Sequence, residues 1–301
     1  MEFSKNINKI VDYISVAALI AILLLLTNGN ILLFATCPIL LSLVYLTKGF
    51  KEFALSSFMA ILLGLLFINP KAIAFDLGPI FLISILFILL IKLDITEKKQ
   101  IFISFLVLSV IFIVVYKLAM VDAGMNISKL AKEIYNDLEI STTYDLKLEY
   151  IEASFALYPA MLATISLIYS LLGLKIIKNF LSFKNMGKDM APLALIRLSK
   201  KDFAKIVIGA IAIYFIASFL GFKELYIRLN LMWIILIILF FNGMGVYDYL
   251  LRRRQSLLSR GLQWFFIIIF FYIFAIFFII LGFADIFLDI RRKPRRSYGQ
   301  F

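Results

Sequence analysis

The sequence predicts an all-α, polytopic bundle of transmembrane helices, about eight or nine of them, and three observations carry that expectation. Of its 301 residues, 63% are hydrophobic, 31 of them Phe, and 17% are charged; soluble domains devote roughly a quarter of their residues to charge. The apolar residues fall into runs at 13–27, 31–47, 53–68, 72–91, 101–121, 153–174, 206–222, 229–251 and 264–284, each bounded by charge, Gly, Pro or Asn. The runs lack the alternation of barrel strands, and inside lipid only a helix or a closed barrel pairs its own backbone.

Taken in order, several runs fall short of the ~20 residues that cross a ~30 Å hydrocarbon layer, so their flanks must contribute. The first, Tyr13 to Leu26, leads into Thr27-Asn28-Gly29-Asn30 without a small-x-small cleavage site and reads as a retained helix, not a cleaved signal peptide. Its Ala17 and Ala21 form a small-xxx-small pair that lets another helix approach closely. Pro38, beside Cys37, and Pro159, beside Tyr158, are expected kinks that either shape a pocket or simply bend a membrane helix. The eighth run carries Asn230, Asn242, Gly243 and Gly245, a composition for close packing and interhelical hydrogen bonds. The expected organisation is a bundle of about five helices over 1–121, an acidic extracytoplasmic segment over 122–152, and a C-terminal bundle over 153–301 with a basic loop at 175–205 and a basic tail.

Charge sets the orientation. With the N-terminus inside, the cytoplasmic stretches 1–12, 48–52, 92–99, 175–205 and 252–260 hold 19 basic residues, against 6 in the external ones. The positive-inside bias therefore favours an N-inside chain. The tail conflicts with this count, because nine crossings place Arg291, Arg292, Lys293, Arg295 and Arg296 outside. Either the tail is translocated, or the run 264–284 is re-entrant or lies along the interface. Segment 122–152 has seven acids and three lysines, with Ile127, Leu130, Ile134 and Leu138 at helical spacing, so a short amphipathic external helix is expected. It either caps a cavity or rests on the membrane surface.

Composition excludes several chemistries. The chain has no His and a single Cys, which removes His-based triads, zincin sites, an internal disulfide and cysteine metal clusters. P-loop, G-x-S-x-G and dinucleotide-binding motifs are missing, so no catalytic residue, metal ligand or cofactor is assigned and the chain is not read as an enzyme. The formal charge of +12 is spread between apolar runs, which points to anionic lipid headgroups as the partner of the basic loops rather than to nucleic acid.

Ionisable groups at membrane depth are candidate ligand-binding residues. Asp76, early in the fourth run, either lines an external vestibule or sits in water at the interface. Lys117, near the external end of the fifth, either snorkels or pairs with a ligand. Glu152 opens the sixth and suits a helix N-terminus. Asp248 lies one turn before Arg252, where an intrahelical pair at i,i+4 is the plain alternative to a binding role.

The runs Gly243-Met244-Gly245-Val246-Tyr247-Asp248-Tyr249-Leu250-Leu251-Arg252-Arg253-Arg254 and Leu281-Gly282-Phe283-Ala284-Asp285-Ile286-Phe287-Leu288-Asp289-Ile290-Arg291-Arg292, with Tyr158-Pro159 and Pro192 to Arg197, resemble the YybS-like family of bacterial membrane proteins. The pattern covers most of the chain, its specific part being the last 60 residues. It departs where that family often carries Trp and Phe near the final Asp-x-x-x-Asp; Phe287 and Ile290 stand there. The front half of that family in turn resembles the substrate-binding subunits of energy-coupling-factor vitamin transporters. By that resemblance Ala17 and Ala21 would face a coupling subunit and 122–152 would close over a ligand, which is analogy of fold. Two functions follow as expectations: a small-solute-binding subunit that depends on a separate energising complex and other membrane subunits, or a non-transporting scaffold or regulator that recruits cytoplasmic proteins. An enclosed cavity under the external segment would favour the first, solid packing the second.

Overall fold

The computed structural model describes residues 31–67, 70–93, 95–141, 147–254 and 256–292. It is all-α, with helices α1 (Ile31–Lys48), α2 (Phe50–Phe67), α3 (Pro70–Lys92), α4 (Glu97–Asp122), α5 (Ile127–Ser141), α6 (Leu148–Phe155), α7 (Tyr158–Phe183), α8 (Lys200–Phe219), α9 (Glu224–Arg254), α10 (Leu257–Ile269) and α11 (Phe271–Leu288). Two single 3₁₀ turns lie at Leu193–Leu195 and Ile290–Arg292. By length and apolar composition, five stretches among the described residues can cross a membrane: α4, α6 with α7, α8, α9 and α11. The first expected run, with Ala17 and Ala21, lies outside the described residues.

The chain divides into two compact units, residues 1–115 with 165–190 and residues 116–164 with 191–301, so α4 and α7 each contribute to both. In the first unit α1, α2 and α3 pack pairwise around a core that includes Cys37, Leu41, Ile80, Ile83 and Phe87. Serines let the backbones approach: Ser42 Oγ donates to the carbonyls of Pro38 at 2.7 Å and Ser84 at 3.1 Å, and Ser84 Oγ donates to those of Ile80 and Pro38. The carbonyl that Pro38 presents inside a helix thus gains a cross-helix donor. Tyr169 Oη donates to the Ala35 carbonyl at 2.6 Å, and Gln100 Nε2 reaches the Leu90 carbonyl at 2.7 Å, satisfying one of the open acceptors at the end of α3.

The second unit is built on α9, which packs against α8, α11 and the 3₁₀ turn at Leu193–Leu195. The acidic segment forms the amphipathic helix α5 that periodicity anticipates, opened by Asn126, whose Oδ1 accepts from the Lys129 N–H at 2.8 Å. Ala131 on its apolar side is fully buried, and α5 packs on α6. Three boundaries differ from the sequence reading. The first part of the expected basic loop, 175–183, continues α7, because its apolar residues Ile177 and Leu181 are buried. The expected helix 153–174 breaks at Ala156–Leu157, so Pro159 stands in the first turn of α7 rather than kinking a helix interior. The expected run 264–284 breaks at Phe270, between the 13-residue α10 and the 18-residue α11.

Candidate functional site

An amide side chain in an apolar helix must find partners for both its oxygen and its nitrogen, and α9 carries two that do. Asn230 inserts into the break between α6 and α7. Its Oδ1 accepts from the Ala160 N–H at 2.9 Å and its Nδ2 donates to the Ala156 carbonyl at 2.8 Å. Those two backbone groups would bond each other in a continuous helix, so the Asn230 amide replaces the missing rung. Side-chain insertion of this kind is an established cause of helix kinks, and a second Nδ2 bond to the Tyr226 carbonyl at 2.8 Å fixes the rotamer.

Asn242, about three turns further on, joins α9 to α11. Its Nδ2 donates to the Gly282 carbonyl at 2.8 Å, and its Oδ1 accepts from the Leu198 N–H at 3.2 Å and from Arg291 Nη2. The approach is close because both helices present glycine there. A Cβ on Gly243 would fall on the Phe278 carbonyl oxygen and 2.7 Å from its carbon, and one on Gly282 would fall on the Leu239 carbonyl oxygen. Beside them Phe240, Ile267 and Phe278 form a buried cluster, with Trp264 and Tyr247 packed against it. Gly245 serves a different neighbour: a Cβ there would lie 2.9 Å from both the Leu193 carbonyl oxygen and Arg291 Nη1, so it admits the 3₁₀ turn.

The polar centre of this unit is Arg291. Helix α11 ends on Asp289, which adopts a left-handed conformation with φ 55° while its N–H bonds the Asp285 carbonyl. That cap, usually glycine and tolerated by Asp, turns the chain back on the helix. Arg291 then reaches Asp285 Oδ2 through Nε at 3.0 Å and Nη2 at 2.8 Å, and its backbone N–H approaches Asp285 Oδ1 at 3.3 Å. Nη1 donates to the carbonyls of Ile196 at 2.9 Å and Ala194 at 3.4 Å, and Nη2 also meets Asn242. A guanidinium has five N–H donors in a fixed fork, and these bonds engage all three of its nitrogens with acceptors from α9, α11 and the 193–196 turn. The side chains are 4% (Arg291) and 0% (Asp285) exposed, so this ion pair sits out of water. Burial pushes the Arg291 guanidinium below its ordinary pKa, and the Asp285 carboxylate opposes that shift. Next to it Arg197 pairs with Asp289, and Ser199 caps α8 reciprocally with Asp202.

The residues singled out by the sequence are dispersed. Asp248 is buried and bridged by Arg252 Nε at 2.8 Å and by Arg260 Nη2 of α10 at 3.6 Å, so the expected i,i+4 pair has a third member. Lys117 is exposed near the end of α4. Asp76 lies in α3, its side-chain surroundings being outside the described residues. Glu152 does not cap a helix: it lies inside α6, and its Oε2 accepts from Tyr226 Oη at 3.3 Å and pairs with Lys223 at 3.6 Å. Hydrogen bonding to Tyr226 is the first reason the exposed Lys223 holds its proton above the ordinary range. Asp285 and Arg291 were not among the sequence candidates. The signal was there in an acid just past the apolar run 264–284 followed six residues later by Arg, but charges at a helix end read equally as solvated.

No group of three or more His, Cys, Asp or Glu among the described residues is arranged to hold a metal. No protein-family model, no curated protein and no solved structure matches this chain.

Proposed function

We propose that this multi-span membrane protein is a non-transporting scaffold that presents a basic cytoplasmic face to an acidic protein partner. One observation carries the reading: Arg291 spends its donors on structure, tying the start of the basic tail to the carbonyls of the 194–196 turn and to α9 and α11. A buried ion pair of this kind costs desolvation and is a poor way to gain stability alone. Its return here is specificity of geometry, holding Arg197, Lys200 and Lys201 beside the root of the tail. Two of the stretches it joins, Pro192–Arg197 and Leu281–Arg292, are among those that resemble YybS-like proteins, and the proposal extends to membership of that family.

The solute-binding reading keeps support from a specific feature, the break between α6 and α7 next to the acidic helix α5, since discontinuous helices line binding sites in transporters. The two are separated by one paired experiment. A photo-crosslinking residue replacing Lys201 in cells should give a discrete adduct with one acidic cytoplasmic protein, lost in Arg291→Ala, while purified protein screened by thermal shift against vitamins and cofactors stays unmoved. A solute at 100 times its dissociation constant would add ~2.7 kcal/mol of stability; such a shift, with no adduct at position 201, overturns the scaffold reading.

A further inference from the structure

Two adjoining recesses lie where the start of α8 meets the end of α11. One, about 320 Å³, is lined by Arg197, Ser199, Lys200, Lys201 and Asp289. The other, about 360 Å³, is apolar, lined by Phe203, Ala204, Val207, Ile208, Ile286 and Phe287. Lys200 and Ile286 border both, so a cationic compartment opens directly into an oily one. From this juxtaposition we infer that the cleft between α8 and α11 is a specific site for one anionic phospholipid, its phosphate against Lys200 and Lys201 and one acyl chain along Phe203, Val207 and Ile208.

Charge and depth both select this occupant. Three cations border the polar recess; one of them, Arg197, is paired with Asp289, and the other carboxylate nearby, Asp202, is engaged with Ser199 at the helix cap. Two lysines are left to face a ligand, and the Lys200 ammonium sits 5.9 Å over the Phe287 ring, at the seam between the compartments. Helix α8 has no fully buried residue although Lys200–Phe219 is apolar enough to span a membrane, so the side it turns away from α9 and α11 is left to acyl chains. The apolar recess is therefore already at acyl depth and the polar one at headgroup depth, with Lys200 and Lys201 as the interfacial anchors. A soluble phosphate compound would leave the apolar groove unfilled, and an acidic peptide would have to enter the membrane to fill it.

The test uses the purified full-length chain and needs no protein partner; because the scaffold reading sets an acidic protein against these same lysines, an acidic peptide is one of its arms. Native mass spectrometry would compare retention of phosphatidylglycerol with that of phosphatidylcholine of the same acyl chains. Wild-type protein should retain one phosphatidylglycerol selectively, and Lys200→Gln with Lys201→Gln should cut that preference roughly thirtyfold, the sum of two interfacial lysines. Ala204→Phe, which fills the apolar groove from an exposed position, should release the lipid with the charges intact, whereas Lys205→Gln, outside both recesses, should change little. Equal retention of the two lipids by wild-type protein, no effect of the double lysine substitution, or displacement by millimolar glycerophosphate or by an acidic peptide would overturn the inference.

Discussion

Replacing Gly243 by Ala tests the arrangement of α9 and α11 most directly. The added Cβ would lie 2.7 Å from the Phe278 carbonyl carbon and 3.0 Å from the Gly282 nitrogen, both backbone atoms that no rotamer change can move. Ordinary contact begins at 3.4 Å and the Phe278 carbonyl oxygen is nearer than its carbon, so the two backbones must part by more than 0.7 Å, the difference from 2.7 Å. Overpacking of this kind costs about 1–3 kcal/mol. Parting the helices also stretches the 2.8 Å bond from Asn242 to the Gly282 carbonyl, and interhelical bonds in membranes contribute about 0.6–1.7 kcal/mol. The expected loss is thus roughly 2–5 kcal/mol. Reversible unfolding in mixed micelles measures it, with Gly209→Ala as the control, since a Cβ on Gly209 meets open space and gains up to ~1 kcal/mol of helix propensity. If the two variants unfold with the same free energy, the close approach of α9 and α11 is wrong.

Three further predictions follow from neighbouring contacts. Asn230→Leu leaves the Ala160 N–H and the Ala156 carbonyl without their bridge and should cost about 1–3 kcal/mol, with faster hydrogen exchange confined to the α6–α7 break; uniform protection there would refute the insertion. Asp285→Leu should cost about 3–5 kcal/mol by stranding Arg291, and Asp285→Leu with Arg291→Leu less than the single change; additive losses in a double-mutant cycle would show that the two do not act as a pair. With Cys37→Ser as background, cysteines at positions 188 and 296 should be modified from the same side of the membrane and one at 137 from the opposite side, and modification of 296 together with 137 would reverse the tail assignment.

What the sequence disclosed, and what it withheld, divides along physical lines. Helices and their approximate spans are legible because lipid enforces apolar runs, and α5 is legible because Ile127, Leu130 and Ile134 recur at a helical period. Asn230 and Asn242 stand out as polar groups in an apolar run. Their partners do not, because a carbonyl exposed by a helix break or by a glycine leaves no mark on composition. The break at Ala156–Leu157 had a visible cue in Pro159, yet its position is fixed by an amide from a helix 74 residues away. Asp285 and Arg291 were hidden differently: charge at the end of a membrane helix is ordinarily solvated, and only the left-handed turn at Asp289 folds it inward.

That turn bears on the conflict in the charge count. Taken by length and hydropathy alone, α11 can cross a membrane, and an odd number of crossings would strand the basic tail outside. The contacts within the second unit tie both ends of α10 and α11 to α9. Arg260 at the start of α10 meets Asp248 of α9, and Arg291 past the end of α11 meets Asn242. Both ends of the α10–α11 hairpin therefore reach α9 within six residues, or about 9 Å of helix axis. Its turn packs near Phe240, whose ring lies 5.4 Å from that of Phe271. Arg291 is also bonded to the 194–196 carbonyls, so the chain at Arg291 is held against that turn. A tail on the side of that turn would raise the inside count from 19 to 24 basic residues against 6 outside, the outcome that modification of 188 and 296 from one side would show.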